Sequence, residues 1–271
     1  MHAASFTWTV VTGASSGIGA AVARRLAGER HALVLVGRDR ERLEAVGDDC
    51  RALGASEVCL LLADLRDRPR IAEAFGGVLR EGPIGLFVGA AGILDGRRDG
   101  EVVETAAIAR TVLEVDLLAA INAVHLVLPG MIERGEGGIL LVASLAALAP
   151  LPDAPAYSAA KAGLLAYGVA LGEAVRAHGI RVSVSCPGHV RTGMSPHHVG
   201  PHPGAIGADR AAERILRAFA RGRAIDAFPF ALSWLARLAL LAPAFVRRRA
   251  MAGLRFHINP DPPAQTDRYV G

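Results

Sequence analysis

Six short runs of continuously apolar or β-branched residues punctuate this chain, at 7–12 (TWTVVT), 32–36 (ALVLV), 57–62 (EVCLLL), 84–88 (IGLFV), 139–143 (ILLVA) and 180–185 (IRVSVS). Between them lie helix-patterned stretches at about 17–29, 39–53, 67–81, 104–134 and 155–178. A strand covered by helices on both faces must be apolar at every position, whereas a strand with one wet face alternates. Strand–helix alternation of this kind implies right-handed crossovers and a parallel, doubly wound α/β sheet in a single domain. The predicted organisation is one domain over residues 1–224 and a C-terminal extension over 225–271.

Length and charge narrow the function classes. A chain of 271 residues with 52% hydrophobic content buries a sizeable core and is neither disordered nor fibrous. Its 30 cations against 26 acids raise the question of nucleic acid, but residues 227–260 hold five arginines and no acid. The remaining 25 cations and 26 acids nearly cancel, so no basic groove runs along the domain and no nucleic-acid partner is expected. Three cysteines without CxxC spacing point to reduced thiols, and the N-terminus lacks a signal-peptide pattern, so a cytoplasmic location is expected.

The first strand runs into Thr12-Gly13-Ala14-Ser15-Ser16-Gly17-Ile18-Gly19 and then into a helical pattern. Glycines allow a tight turn and close backbone approach, and the helix start offers unpaired N–H groups and a positive dipole end to a pyrophosphate. Further along stand Ser144, the pair Tyr157 and Lys161 four residues apart, Pro187-Gly188 and Thr192. With its TGxxxGxG turn, YxxxK pair, upstream serine and post-strand PG in this order, the chain resembles the short-chain dehydrogenase/reductase superfamily over about residues 7–195. The resemblance implies a Rossmann-type fold, with residues 1–224 as a dinucleotide-binding catalytic domain and a substrate lid at about 193–206. It also implies a dinucleotide held by Gly13, Ser15, Ser16, Gly17, Ile18, Gly19, Arg38, Asp64, Leu65, Ala91, Gly92, Tyr157, Lys161, Pro187, Gly188, Val190 and Thr192.

The end of the second strand selects the dinucleotide, because an acid there binds a ribose hydroxyl and repels a 2′-phosphate. Here Gly37-Arg38 stands at that point, with Arg40 and Arg42 behind, so NADP(H) is preferred and NAD(H) is the alternative. By resemblance Tyr157 is the general acid/base, Lys161 lowers its pKa and binds the nicotinamide ribose, and Ser144 donates to the substrate oxygen. Bringing a phenol from about 10 to about 7 needs roughly 4 kcal/mol, which one cation some 4 Å away supplies at an effective dielectric near 20. The expected reaction interconverts a carbonyl and a secondary alcohol on an apolar small molecule.

Two features depart from the family pattern. Gly89-Ala90-Ala91-Gly92 stands where the family has NNAG, and Asp116 stands where its tetrad asparagine is expected. Asp116 either keeps the same bend and water or perturbs Lys161. The alternative function is therefore an NADP(H)-binding sensor or assembly protein with weak turnover. His197, His198 and His202 lack a carboxylate or cysteine partner, so no metal is expected. The apolar run 228–246 has about 13 residues between Pro229 and Pro243, short of the roughly 20 that span a bilayer. It covers the substrate pocket, packs on a second subunit of a homodimer or homotetramer, or makes a peripheral membrane contact through 228–249.

Lys161 is the only lysine beside 29 arginines. Whatever bias favours arginine spares the position where a compact ammonium is specified. Lys161→Arg is expected to lower kcat by ~10²-fold or more while circular dichroism shows an intact fold; a variant keeping most of its kcat removes the role.

Overall fold

The computed structural model describes residues 7–192, 198–241, 243, 245, 249 and 255–259. In chain order these form β1 (Trp8–Thr12), α1 (Gly17–Gly28), β2 (Ala32–Gly37), α2 (Arg40–Ala52), β3 (Glu57–Leu62), α3 (Arg68–Glu81), β4 (Ile84–Gly89), α4 (Ala106–Leu113), α5 (Ala119–Arg134), β5 (Gly137–Val142), α6 (Pro155–Val175) and β6 (Ile180–Pro187). The short strands β7 (Val190–Arg191), β8 (His198–Val199) and β9 (Ile206–Gly207) follow, then α7 (Ala208–Ala220), β10 (Ile225–Phe228), α8 (Phe230–Leu241) and β11 (His257–Ile258).

The seven longer strands form one parallel sheet in the order β10-β6-β5-β4-β1-β2-β3. Continuous apolarity has the expected cause, because alternate residues serve opposite layers. Val10 and Val34 join one buried layer with Phe75 of α3, Val127 of α5 and Leu164 of α6. Val11 and Leu35 join another with Val22 of α1, Leu43 of α2 and Ile215 of α7. Helix starts follow their capping residues: the carboxylates of Asp39 and Asp67 accept from the N–H groups of Arg42 and Arg70.

The structure adds elements beyond the expected ones. The stretch 104–134 is two helices joined by one wide turn of π-helical geometry, Glu114–Leu118. Helix α7 precedes β10, which pairs with β6, so the sheet continues past residue 224. Cys50, Cys59 and Cys186 are all free thiols, and burial pushes Cys50 up to about 11 and Cys186 to about 12. Of the predicted lid, residues 193–197 lie outside the described residues.

The described C-terminal residues are tied down by one acid. Buried Asp153 accepts from Arg97 Nε at 2.5 Å, Arg255 Nε at 2.9 Å and the Phe256 N–H at 3.0 Å. β11 pairs antiparallel with β8, and Phe256 and Ile258 pack with Ala154. Burial works against the Asp153 carboxylate, but the two guanidinium groups and the N–H hold it below its ordinary value. A carboxyl lowered on folding contributes stability that is full above its unfolded pKa of about 3.9 and lost as the pH falls through the folded value. Asp153→Ala is expected to cost about 2 kcal/mol, less than the 3–5 of a fully buried pair because Arg255 is half exposed. Urea titration at neutral pH and at pH 3 measures this, and the difference between native and variant should shrink at the lower pH.

Candidate active site

The turn after β1 is shaped by what its glycines leave out. Gly13 has a φ of +67°, and a Cβ there would lie 2.7 Å from Ala91 Cα and 2.8 Å from Ala91 N. Gly17 has a φ of +56°, and a Cβ on it would meet Thr192 at 3.1 Å. The post-β4 backbone therefore lies directly against the turn. Thr12 joins them: its hydroxyl donates to Val88 O and accepts from the N–H groups of Ala90 and Ala91. The sequence motif contains Thr12 without revealing this role, because its partners are more than 70 residues away. Ser16, at the N-cap of α1, makes no side-chain bond to the first turn, which leaves those N–H groups to a ligand.

A cavity of about 1180 Å³ opens from this turn along the carboxyl ends of the strands. It is lined by Gly13, Ser15, Ser16, Gly17, Ile18, Arg38, Asp64, Leu65, Ala91, Gly92, Asp116, Ser144, Tyr157, Lys161, Pro187, Gly188, Val190 and Thr192. Gly19 of the predicted set sits behind the turn, where a Cβ would run into the Gly13 carbonyl. Sequence reasoning missed much of the far wall: Leu94, Leu151, His189, Leu232, Leu235, Leu238 and Phe256. Leu94, Leu151 and Phe256 come from segments without a motif; His189 sits beside Pro187-Gly188, and Leu232, Leu235 and Leu238 belong to the 228–246 run, one reading of which covers the pocket.

At the end of β2, Arg38 and Arg42 both line the cavity. Arg40 does not; it pairs with Glu44 along α2. Arg42 bonds Asp39 at 2.7 Å, and Arg38 lies 3.8 Å from Asp64. The bond from Arg66 holds the Asp64 carboxyl below its ordinary value, so it stays charged beside Arg38.

The catalytic candidates converge at the ends of β4 and β5. Lys161 Nζ lies 3.0 Å from Asp116 Oδ2 and donates to Val142 O at 3.3 Å, while Asp116 Oδ1 accepts from the Ile93 N–H at 2.7 Å. Both side chains are buried. A Cβ on Gly92 would sit 3.0 Å from Asp116 Oδ2 and from Lys161 Nζ, so the pair needs a glycine above it. Ser144 stands near enough to Tyr157 to favour its ionised form, and its Oγ accepts from the Ala146 N–H. Lys161 Nζ is 5.6 Å from the centre of the Tyr157 ring.

Electrostatics here differ from the sequence-based expectation. Burial pushes the Asp116 carboxyl up, against the pull of Lys161 and of the Ile93 N–H. Burial alone would lower the Lys161 ammonium, but Asp116 and Tyr157 hold it above its ordinary value. The Tyr157 phenol is not brought toward 7. Burial raises it, and Asp116 opposes the lowering effect of Lys161. In an ultraviolet difference titration of native protein against Tyr157→Phe, Tyr157 is expected to ionise above the ordinary tyrosine value of about 10. Asp116→Asn should move it down, and an unchanged titration would remove Asp116 from this account.

His189, His198 and His202 stack edge to face near the mouth, with ring centres 4.5–5.4 Å apart. Burial lowers His198 to about 4 and also lowers His189, so both are neutral at pH 7. No His/Cys/Asp/Glu group among the described residues has a metal-binding arrangement, and His197 lies outside them.

The short chain dehydrogenase family model matches residues 7–199. The ketoacyl reductase HetN of Nostoc sp. is 33% identical over 189 residues, covering 69% of this chain and 64% of that protein. The inactive hydroxysteroid dehydrogenase-like protein 1 of Homo sapiens is 31% identical over 188 residues, covering 69% and 57%. The chain thus spans about six tenths of the length of these curated relatives. A short-chain dehydrogenase from Sphingobium yanoikuyae, solved with NADPH, is 29% identical with a TM-score of 0.74, covering 97% of this chain and 100% of that one. Residues 7–199 carry the first six strands of the main sheet and every motif discussed above, and the chain belongs to the short-chain dehydrogenase/reductase family.

Proposed function

We propose that this chain is an NADP-dependent oxidoreductase interconverting a carbonyl and a secondary alcohol on an apolar small molecule. The observation that carries this reading is one continuous cavity with two chemically distinct ends. One end has the glycine turn, the open start of α1 and the cations Arg38 and Arg42; the other has Ser144, Tyr157 and Lys161 beneath an apolar wall. A dinucleotide fits the first end: the space that Cβ atoms on Gly13 and Gly17 would fill stays clear, and the guanidinium groups suit a 2′-phosphate. NAD(H) is the weaker alternative. The NADPH in the Sphingobium neighbour supports the assignment.

Bound there, the dinucleotide supplies or accepts the hydride. Ser144 orients the substrate oxygen, and Tyr157 carries the proton to or from it. Lys161, held by Asp116 and Val142 O, sets the field at Tyr157. A phenol pushed above its ordinary value is fully protonated at neutral pH, the form that reduction needs. Oxidation needs the phenolate, so its rate rises with pH through the Tyr157 value.

A second reading is an NADP(H)-binding sensor or assembly protein with weak turnover. It is favoured by one contact, the Asp116 carboxylate that occupies Lys161, and by the human relative that carries the word inactive in its name. In either reading, residues 1–224 form the catalytic unit, and the 225–271 extension rejoins the sheet through β10 and walls the cavity through α8. Three free thiols support a cytoplasmic location. Exposed Leu118 and Val169 supply apolar surface for a homodimer or homotetramer.

Titration by nucleotide fluorescence is expected to show NADPH binding at least ~10-fold tighter than NADH, the worth of one good charge-assisted contact. Arg38→Asp should reverse the order, and equal affinities in native protein would sink the NADP preference. A panel of apolar ketones followed at the nicotinamide absorbance separates the two readings: tight NADPH binding with no turnover on any ketone favours the sensor.

A further inference from the structure

Helix α8 presents the wrong face to water. At about 100° per residue, Phe230, Trp234, Leu235, Arg237 and Leu238 share one side, and Leu232, Ser233 and Ala236 the other. Ser233 and Ala236 are buried. On the outer side Phe230 is 68% exposed, Trp234 49%, Leu235 62% and Leu238 58%, and further along Phe245 is 74% exposed. A contiguous apolar surface of this kind needs an occupant.

Charge identifies it. Residues 227–260 contain no acid, and half-buried Arg237 stands at the edge of the apolar side, with its guanidinium 5.8 Å from the centre of the Trp234 ring. Exposed Arg249 follows Phe245. A second copy seated symmetrically on this face would set arginine against arginine with no carboxylate between them. Aromatic rings, leucines and arginines without acids instead match a bilayer interface carrying anionic headgroups. Leu235 and Leu238 also line the cavity, so the same helix walls the site and forms its outer lip. We propose that α8 docks on an anionic lipid surface and opens the cavity toward the bilayer, from which an apolar substrate enters. The entry step rests on the cavity being the substrate site; the docking step does not.

The test uses the full chain with NADPH and vesicles of phosphatidylcholine, alone or mixed about 7:3 with phosphatidylserine. Sedimentation is expected to show at least ~10-fold more protein on the mixed vesicles at about 50 mM salt, released at about 0.5 M. Trp234 emission should shift to the blue on binding, against a constant background from buried Trp8. The triple variant Phe230→Ser, Trp234→Ser, Arg237→Ser should keep NADPH affinity and lose vesicle binding. Equal binding to both vesicle types, or none, overturns the proposal. So does a native oligomer, absent in the variant, that already shields Trp234 without lipid. Because docking is read without turnover, vesicle binding by a protein inactive on every ketone would leave docking standing and remove only the oxidoreductase reading.

Discussion

A buried ammonium and a buried carboxylate 3.0 Å apart, Lys161 and Asp116, join the parts of this molecule that the sheet alone leaves separate. Lys161 comes from α6, Asp116 from the wide turn between α4 and α5, the Ile93 N–H from the chain after β4, and the Val142 carbonyl from the end of β5. Two charges out of water are costly, and their attraction offsets that cost only when the remaining donors and acceptors are also placed. Here the Val142 carbonyl takes one Lys161 donor and the Ile93 N–H serves Asp116 Oδ1, while Asp116 Oδ2 has the ion pair alone, and these contacts tie the four segments together. Gly92 belongs to the same constraint, since the pair occupies the space its side chain would need.

The same pair gives the site its character. A lysine facing only a phenol would lower it, but a lysine shared with a carboxylate presents less field to that phenol, and burial then decides the direction. The wide turn matters for this reason: an extra residue in the helix turns Asp116 inward. Farther out, the cavity is closed by late segments, α8 and the 255–258 stretch, the latter held by Asp153 against Arg97. The glycine-turn end and the apolar end of the cavity therefore have different origins, one in motifs near the start of the chain, the other in apolar residues near its end.

Much of this was legible beforehand for a simple reason. Parallel strands covered on both faces are written as continuous apolar runs, and every one of the six appears in the sheet. The turn was legible because glycine is demanded by close backbone approach, and Ser144, Tyr157 and Lys161 because their order and spacing are unusual in combination. Thr12 and the Leu94, Leu151 and Phe256 part of the far wall were not, since their significance lies in partners distant along the chain. Helix α7 was within reach of the same reasoning, since Ala211, Ala212, Ile215 and Ala218 recur at helical spacing and form its buried face.

By itself the amino-acid sequence determined the doubly wound class and the glycine turn, which rest on local pattern and residue chemistry, and, through the order of its motifs, the candidate side chains Ser144, Tyr157 and Lys161. Only the tertiary structure decided that Asp116 faces Lys161, that Tyr157 is raised and not lowered, and that α8 walls the cavity while baring its apolar side. Those outcomes depend on burial and on distances between segments tens of residues apart, quantities that exist only once the chain has closed on itself.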